Sequence, residues 1–156
     1  MKQMKTLYIS DLDGTLLSPN VTLTKRTVDI LNKLMSQGLL FTVATARSIA
    51  SVKHILKDLE ITLPIILMNG VCIYDPLNKN YVKVESFSGE DVRRLISMIE
   101  KNHLKGFLYT VNKGELATYY EELSNKALRD FHDERVSKYN KSFQQVANFS
   151  SLVDEP

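Results

Sequence analysis

The chain has 156 residues, 44% of them hydrophobic and 24% charged, the make-up of a globular, water-soluble chain of one domain or of one domain and part of another. Twenty Lys and Arg against 18 Asp and Glu give +2, too even a balance to argue for nucleic acid or an anionic membrane as partner. No run is apolar long enough to span a bilayer, no signal peptide follows from the basic start Met1-Lys2-Gln3-Met4-Lys5, whose apolar run ends at Asp11, and one cysteine, Cys72, makes no internal disulfide, so the cytoplasm is the expected compartment.

Lys5 to Ser10 reads as a short strand, and an apolar run on both faces suits a central strand of a parallel sheet. A polar loop follows, Asp11-Leu12-Asp13-Gly14-Thr15. Thr24 is placed to cap a helix running to about Gln37, with Val28, Leu31, Leu34 and Met35 on one face and Gly38 at its stop. Leu39 to Ala44 is the second strand. Ser48 caps a second helix to Glu60, with the stripe Ile49, Val52, Leu56 and Leu59. After Pro64, Ile65 to Met68 is a third strand closed by Asn69-Gly70. Strand, helix, strand, helix, strand predicts a parallel sheet with right-handed crossovers.

Beyond Gly70 the pattern changes. Val71–Tyr74 and Tyr81–Glu85 flank the turn-forming run Asp75-Pro76-Leu77-Asn78 and read as a hairpin. Ser88 caps a helix carrying Val92, Leu95, Ile96 and Ile99. Two strands, Phe107–Val111 and Glu115–Tyr120, surround Asn112-Lys113-Gly114, and a polar helix runs from Glu121 to about Val136. The tail to Pro156 shows little structure. Residues 1–85 and 86–156 therefore read as two units. Three parallel strands make a poor isolated domain, and Pro156 suits the end of neither unit, so the expectation is an incomplete polypeptide.

The chemistry concentrates at the end of the first strand. Ligands of open α/β sheets bind beyond the carboxyl ends of the strands, and side chains two apart in an extended segment point the same way. Asp11 and Asp13 are thus placed to hold a hard cation such as Mg2+, or to divide nucleophilic and proton-transfer roles. An EF-hand counted from Asp11 would need Gly and Glu where Leu16 and Thr22 stand. A dinucleotide fingerprint would need glycines after the first strand. A response-regulator receiver would want its phosphoacceptor Asp where Asn69 stands.

Asp11-Leu12-Asp13-Gly14-Thr15-Leu16 resembles the first motif of the haloacid dehalogenase superfamily, D-x-D-G-T-L. Val43-Ala44-Thr45-Ala46-Arg47 is similar to the second motif of its Cof-type sugar-phosphatase branch, usually A-T-G-R, and Met68-Asn69-Gly70 to that branch's N-G-A. The resemblance covers residues 5 to 85 closely, and the remainder is similar to the start of an inserted C2 cap. It implies a Rossmann-like α/β core, of which 1–85 is the N-terminal part, and a partial α+β cap over 86–156. It further implies a Mg2+-dependent phosphatase of small, sugar-phosphate-like metabolites that works through an aspartyl-phosphate. Asp11 would be the nucleophile and Asp13 the acid and base. Mg2+ would sit on the Asp11 side chain and the Asp13 main-chain carbonyl. Thr45 would bond the phosphoryl group, with Arg47, Asn69 and Gly70 beside it.

Two departures stand out. Ala46 replaces the usual Gly, and the family's later motifs, a Lys and further acidic metal ligands, find no match; Lys105 and Lys113 lie in the cap portion. The expectation is therefore a chain lacking the C-terminal catalytic motifs, the alternative being an inactive fragment with a binding role or none. No oligomeric state is implied. His54, His103 and His132 match no metal spacing, Cys72 reads as a small buried hydrophobe, and Tyr119-Tyr120 as core.

Overall fold

The computed structural model describes residues 5–112 and 114–153, so the start Met1–Met4, Lys113 in the second hairpin turn and the end at Pro156 lie outside the described residues. The chain divides into two compact units, Met1–Glu85 and Ser86–Pro156.

In the first unit β1 (Leu7–Ser10) runs parallel to β2 (Leu40–Val43), in register from Leu7 opposite Leu40 to Ser10 opposite Val43. β3 (Ile65–Leu67) lies parallel beside β2 through a bridge between Ala44 and Ile66. The helices α1 (Lys25–Ser36) and α2 (Ile49–Ile55) form the crossovers, so the alternation read from the sequence is the observed α/β architecture. Thr24 caps α1 by accepting the Thr27 N–H at 3.1 Å. Val28, Leu31 and Met35 of α1 pack on the core, whereas Leu34 is exposed.

α2 is shorter than its apolar stripe. Ser48 stands at its N-cap but makes no side-chain cap bond, and the helix ends at Ile55. Beyond it, Asn32 of α1 donates its side-chain N–H to the Asp58 carbonyl at 2.9 Å and accepts the Glu60 N–H at 3.0 Å, so these backbone groups are satisfied from outside the helix. Leu56 and Leu59 are nevertheless buried, so the stripe marks the core correctly and the helix length wrongly.

After β3 the chain reverses into β4 (Cys72–Asp75), antiparallel to β3, and then β5 (Asn80–Val84), antiparallel to β4. The Asp75 carboxylate shapes the turn between β4 and β5 by accepting the Leu77 and Asn78 N–H groups at 2.8 and 3.1 Å. One expectation fails in detail. The run Leu7-Tyr8-Ile9 has the character of a central strand, yet among the described residues β2 is the one strand paired with β1. Its three apolar side chains are 49%, 55% and 49% exposed.

The second unit holds α3 (Gly89–Lys101), capped by Ser88, then β6 (Phe107–Asn112) antiparallel to β7 (Glu115–Tyr120), α4 (Lys126–Tyr139) and β8 (Gln144–Gln145). α4 begins at Lys126, where Asn125 accepts the Leu128 N–H, and not at Glu121. Glu121 is held instead by the Lys105 ammonium at 2.7 Å and the Phe149 N–H at 2.9 Å. The tail, read as unstructured, pairs β8 parallel to β7 and buries Phe149 in a turn capped by Asn148.

Phe107 and Tyr109 face Tyr120 and Thr118 across the β6–β7 pair, and Phe131 and Phe143 pack on Phe107. Lys141 enters this apolar cluster at 8% exposure. Its ammonium lies 4.5 Å from the Tyr109 ring centroid, 4.8 Å from that of Phe143 and 3.4 Å from the Tyr109 hydroxyl. Burial, and next the positive charge of Arg135, bring its pKa down to about 8 from 10.5.

A depressed lysine pKa means that the unfolded chain binds more protons between these two values, so stability rises with pH from about 8 to 10.5 and the full cost applies below 8. That cost is about 3 kcal/mol, and the two ring contacts offset part of it. Lys141→Met is expected to stabilise the chain at pH 7 by roughly 1–3 kcal/mol, with a smaller gain at pH 10. Urea unfolding at both pH values checks this, and a lower midpoint for the variant at pH 7 would refute it.

Candidate active site

The site is built around Leu12, which is fully buried in the core while Asp11 and Asp13 on either side are exposed. The hydrophobic side chain turns inward and the two carboxylates are left outside, just past the carboxyl end of β1. Asp11 is steadied locally, accepting the Leu12 N–H at 2.7 Å. The loop then closes as the Leu17 N–H meets the Leu12 carbonyl at 2.9 Å. Gly14 makes the closure possible at φ 74°, a left-handed conformation in which a side chain would be strained.

The loops after β2 and β3 are laced to each other. The Thr45 N–H donates to the Ile66 carbonyl at 3.0 Å, the Asn69 N–H to the Thr45 carbonyl at 3.1 Å and the Met68 N–H to the Arg47 carbonyl at 3.1 Å. Three consecutive residues, Met68, Asn69 and Gly70, take φ of 52°, 57° and 91° to make these bonds. Thr45 is 4% exposed, and its hydroxyl accepts the Arg47 N–H at 3.2 Å while keeping an O–H to donate.

Arg47 joins the two halves of the site. Its Nε donates to Asp13 Oδ2 at 2.8 Å and a terminal guanidinium nitrogen to Oδ1 at 2.7 Å, a bidentate pair spanning 34 residues of sequence. The Arg47 side chain is 15% exposed and that of Asp13 50%. The structure thus gathers Asp11, Asp13, Thr45, Arg47, Asn69 and Gly70 on three adjacent loops at one edge of the sheet. It links Asp13 to Arg47, Arg47 to Thr45 and Thr45 to Asn69 directly. Sequence reasoning did not foresee the Arg47–Asp13 pair or the left-handed Met68, since side-chain pairing across 34 residues and a positive φ at methionine carry no local signal.

Among the described residues no group of three or more His, Cys, Asp or Glu converges to hold a metal. With the Asp13 carboxylate taken up by Arg47, the hard oxygen donors here are the Asp11 carboxylate and the Asp13 main-chain carbonyl that the resemblance assigns to the metal. That set fits Mg2+, which is commonly held by one or two carboxylates and keeps several of its waters. Cys72 is 1% exposed and burial raises its thiol pKa, so it has the character of core, not of a nucleophile.

The model of the haloacid dehalogenase-like hydrolase family matches residues 8–154. Pyridoxal phosphate phosphatase YbhA of Escherichia coli is 24% identical over 147 residues, 93% of this chain and 53% of that protein. 5-Amino-6-(5-phospho-D-ribitylamino)uracil phosphatase YitU of Bacillus subtilis is 25% identical over 123 residues, 78% of this chain and 46% of that protein. The crystal structure of a haloacid dehalogenase-like hydrolase from Bacteroides thetaiotaomicron shares the fold with a TM-score of 0.73 at 19% identity, covering 98% of this chain and 56% of that one. The chain spans about half the length of these relatives. It belongs to the haloacid dehalogenase-like hydrolases, in their Cof-type phosphatase branch.

The laced loops make a testable demand on Asn69. At φ 57° asparagine and glycine are tolerated and a β-branched residue is not. Asn69→Gly is expected to change stability by less than about 0.5 kcal/mol, and Asn69→Val to cost roughly 1–3 kcal/mol. Denaturant midpoints of the two variants decide; equal midpoints would show that the backbone conformation at Asn69 is not a constraint.

Proposed function

We propose that this chain carries the nucleophile half of a Mg2+-dependent phosphomonoester hydrolase that acts on small phosphorylated metabolites in the cytoplasm through an aspartyl-phosphate. In this reading the unit 1–85 is the N-terminal part of the catalytic core and 86–156 part of a C2-type cap. One observation carries it: two exposed carboxylates, Asp11 and Asp13, stand at the carboxyl end of β1 beside the laced Thr45 and Asn69 loops. YbhA and YitU, each named as a phosphatase of a small phosphorylated compound, support the substrate class. The exposed edge of β1 is assigned to pairing with further strands of the whole protein's core.

An Asp11 oxygen attacks phosphorus in line with the leaving oxygen, and the bond from phosphorus to that oxygen breaks. Asp13 gives the leaving oxygen its proton. Asp13 then takes a proton from water as the water oxygen attacks the aspartyl-phosphate, releasing phosphate and restoring Asp11. Thr45 donates its O–H to the phosphoryl oxygens, and the Arg47 guanidinium and the Asn69–Gly70 loop bound the same space. Mg2+, held by the Asp11 side chain and the Asp13 main-chain carbonyl, would neutralise charge where a carboxylate meets a phosphate.

A second reading, a chain without turnover of its own, is favoured by the absence of a third metal-ligating carboxylate among the described residues. A positioned acid and base contribute about 10^2–10^4-fold, far short of what monoester hydrolysis demands. The two readings meet in one assay, hydrolysis of p-nitrophenyl phosphate with Mg2+ or with EDTA. Residues 1–156 alone are expected to stay near the buffer rate. The product of the complete gene is expected to show Mg2+-dependent turnover that Asp11→Asn lowers by more than about 10^3-fold. Turnover of that product unaffected by Asp11→Asn would sink the mechanism, and robust Asp11-dependent turnover by residues 1–156 would sink the second reading.

A further inference from the structure

Arg47 has a fork of donors, and both of the bonds described above go to a carboxylate, not to open space. We propose that Arg47 is a positioning residue whose clasp on Asp13 exchanges onto the phosphoryl group when substrate arrives, releasing both Asp13 oxygens. The proposal rests on the phosphate-site reading above and adds the order of events within it.

Three observations carry it. The clasp engages Oδ1 and Oδ2 together, so while it holds, neither Asp13 oxygen is turned to a leaving group or a water. The Arg47 backbone is fixed at both ends, its N–H on the Thr45 hydroxyl at 3.2 Å and its carbonyl on the Met68 N–H at 3.1 Å. The side chain alone has to move, and it starts two residues along the same loop from Thr45. Finally, the pair is asymmetric in exposure, with Arg47 15% and Asp13 50% exposed. Solvent takes over Asp13 readily on release, while the guanidinium remains within the site.

The chemistry favours exchange. A phosphoryl group offers the guanidinium the same planar two-oxygen face as a carboxylate, with greater charge. Asp13 is half-exposed, so water takes up its carboxylate as an incoming phosphate displaces it, and the more charged phosphoryl group replaces the bidentate pair with one of the same geometry. A lysine in this place would keep the charge and lose the two-pronged grip on either partner.

Inorganic phosphate, without metal, is the probe, and binding is followed by NMR on residues 1–156 through the Thr45 and Asn69 amides and the Arg47 Nε–H. In the wild type, phosphate is expected to move all three. Asp13→Asn removes the competing carboxylate and is expected to tighten phosphate binding about 3- to 10-fold. Part of any such gain is loss of like charge, so the same substitution is made on Arg47→Gln, where the gain is expected to fall to about twofold or less. Arg47→Lys is expected to restore charge but not the full coupling to Asp13. Phosphate that moves neither Thr45 nor Asn69 overturns the phosphate-site reading and the exchange with it. Phosphate that moves those amides while the Arg47 Nε–H stays unchanged, or a gain from Asp13→Asn that is undiminished on Arg47→Gln, overturns the exchange alone.

Discussion

The burial of Leu12 is the constraint on which the site depends. A leucine at 0% exposure between two exposed aspartates fixes which way three consecutive side chains point. Taking a leucine side chain out of water stabilises by about 1.5–3 kcal/mol, and exposing it in order to bury either neighbour would add the cost of an unpaired charge. The hydrophobic effect therefore orients the carboxylates before any ligand is present. A polar residue at position 12 would loosen the orientation of Asp11 and Asp13 together, although it touches no substrate.

The second support is backbone, not side chain. Thr45, Arg47, Met68 and Asn69 are tied by main-chain hydrogen bonds that bind the β2 and β3 ends into one rim. The left-handed run Met68–Gly70 is the local cost of that rim, concentrated at the edge where the carboxylates lie. A rim of backbone bonds holds still while long side chains rearrange above it. The exchange proposed for Arg47 would use this division, its backbone fixed in the frame and its guanidinium alone changing partner.

Much of this was legible in the sequence because the signals are local. The apolar runs at β1, β2 and β3, the Thr24 and Ser88 caps, and the turn chemistry at Asp75 each act within a few residues, and each is found where the sequence placed it. What escaped is non-local. α2 stops at Ile55, and the backbone that follows is bonded by Asn32 in another helix. α4 starts late because Glu121 is committed to Lys105 and Phe149. β8 is two glutamines long and gains its place from pairing with β7, with no apolar period to reveal it. The same holds at the site: the carboxylates were legible from the D-x-D spacing, and the arginine that grips one of them was not.

That grip also explains how two aspartates one residue apart come to differ. Asp11 is held from within its own loop, the Leu12 N–H donating to its Oδ1. Asp13 is held through both oxygens by a residue from the next loop. One carboxylate is thus oriented by local geometry, whereas the other is subject to a partner that a phosphate can compete for. Chemically identical groups acquire separate roles when their surroundings differ, and here the difference is a short bond within one loop against an ion pair between two. A nucleophile must be in position when substrate enters, which a local bond secures. Under the exchange proposed above, a proton carrier would be freed only once the phosphoryl group is in place, because the clasp that holds it yields to the phosphate itself.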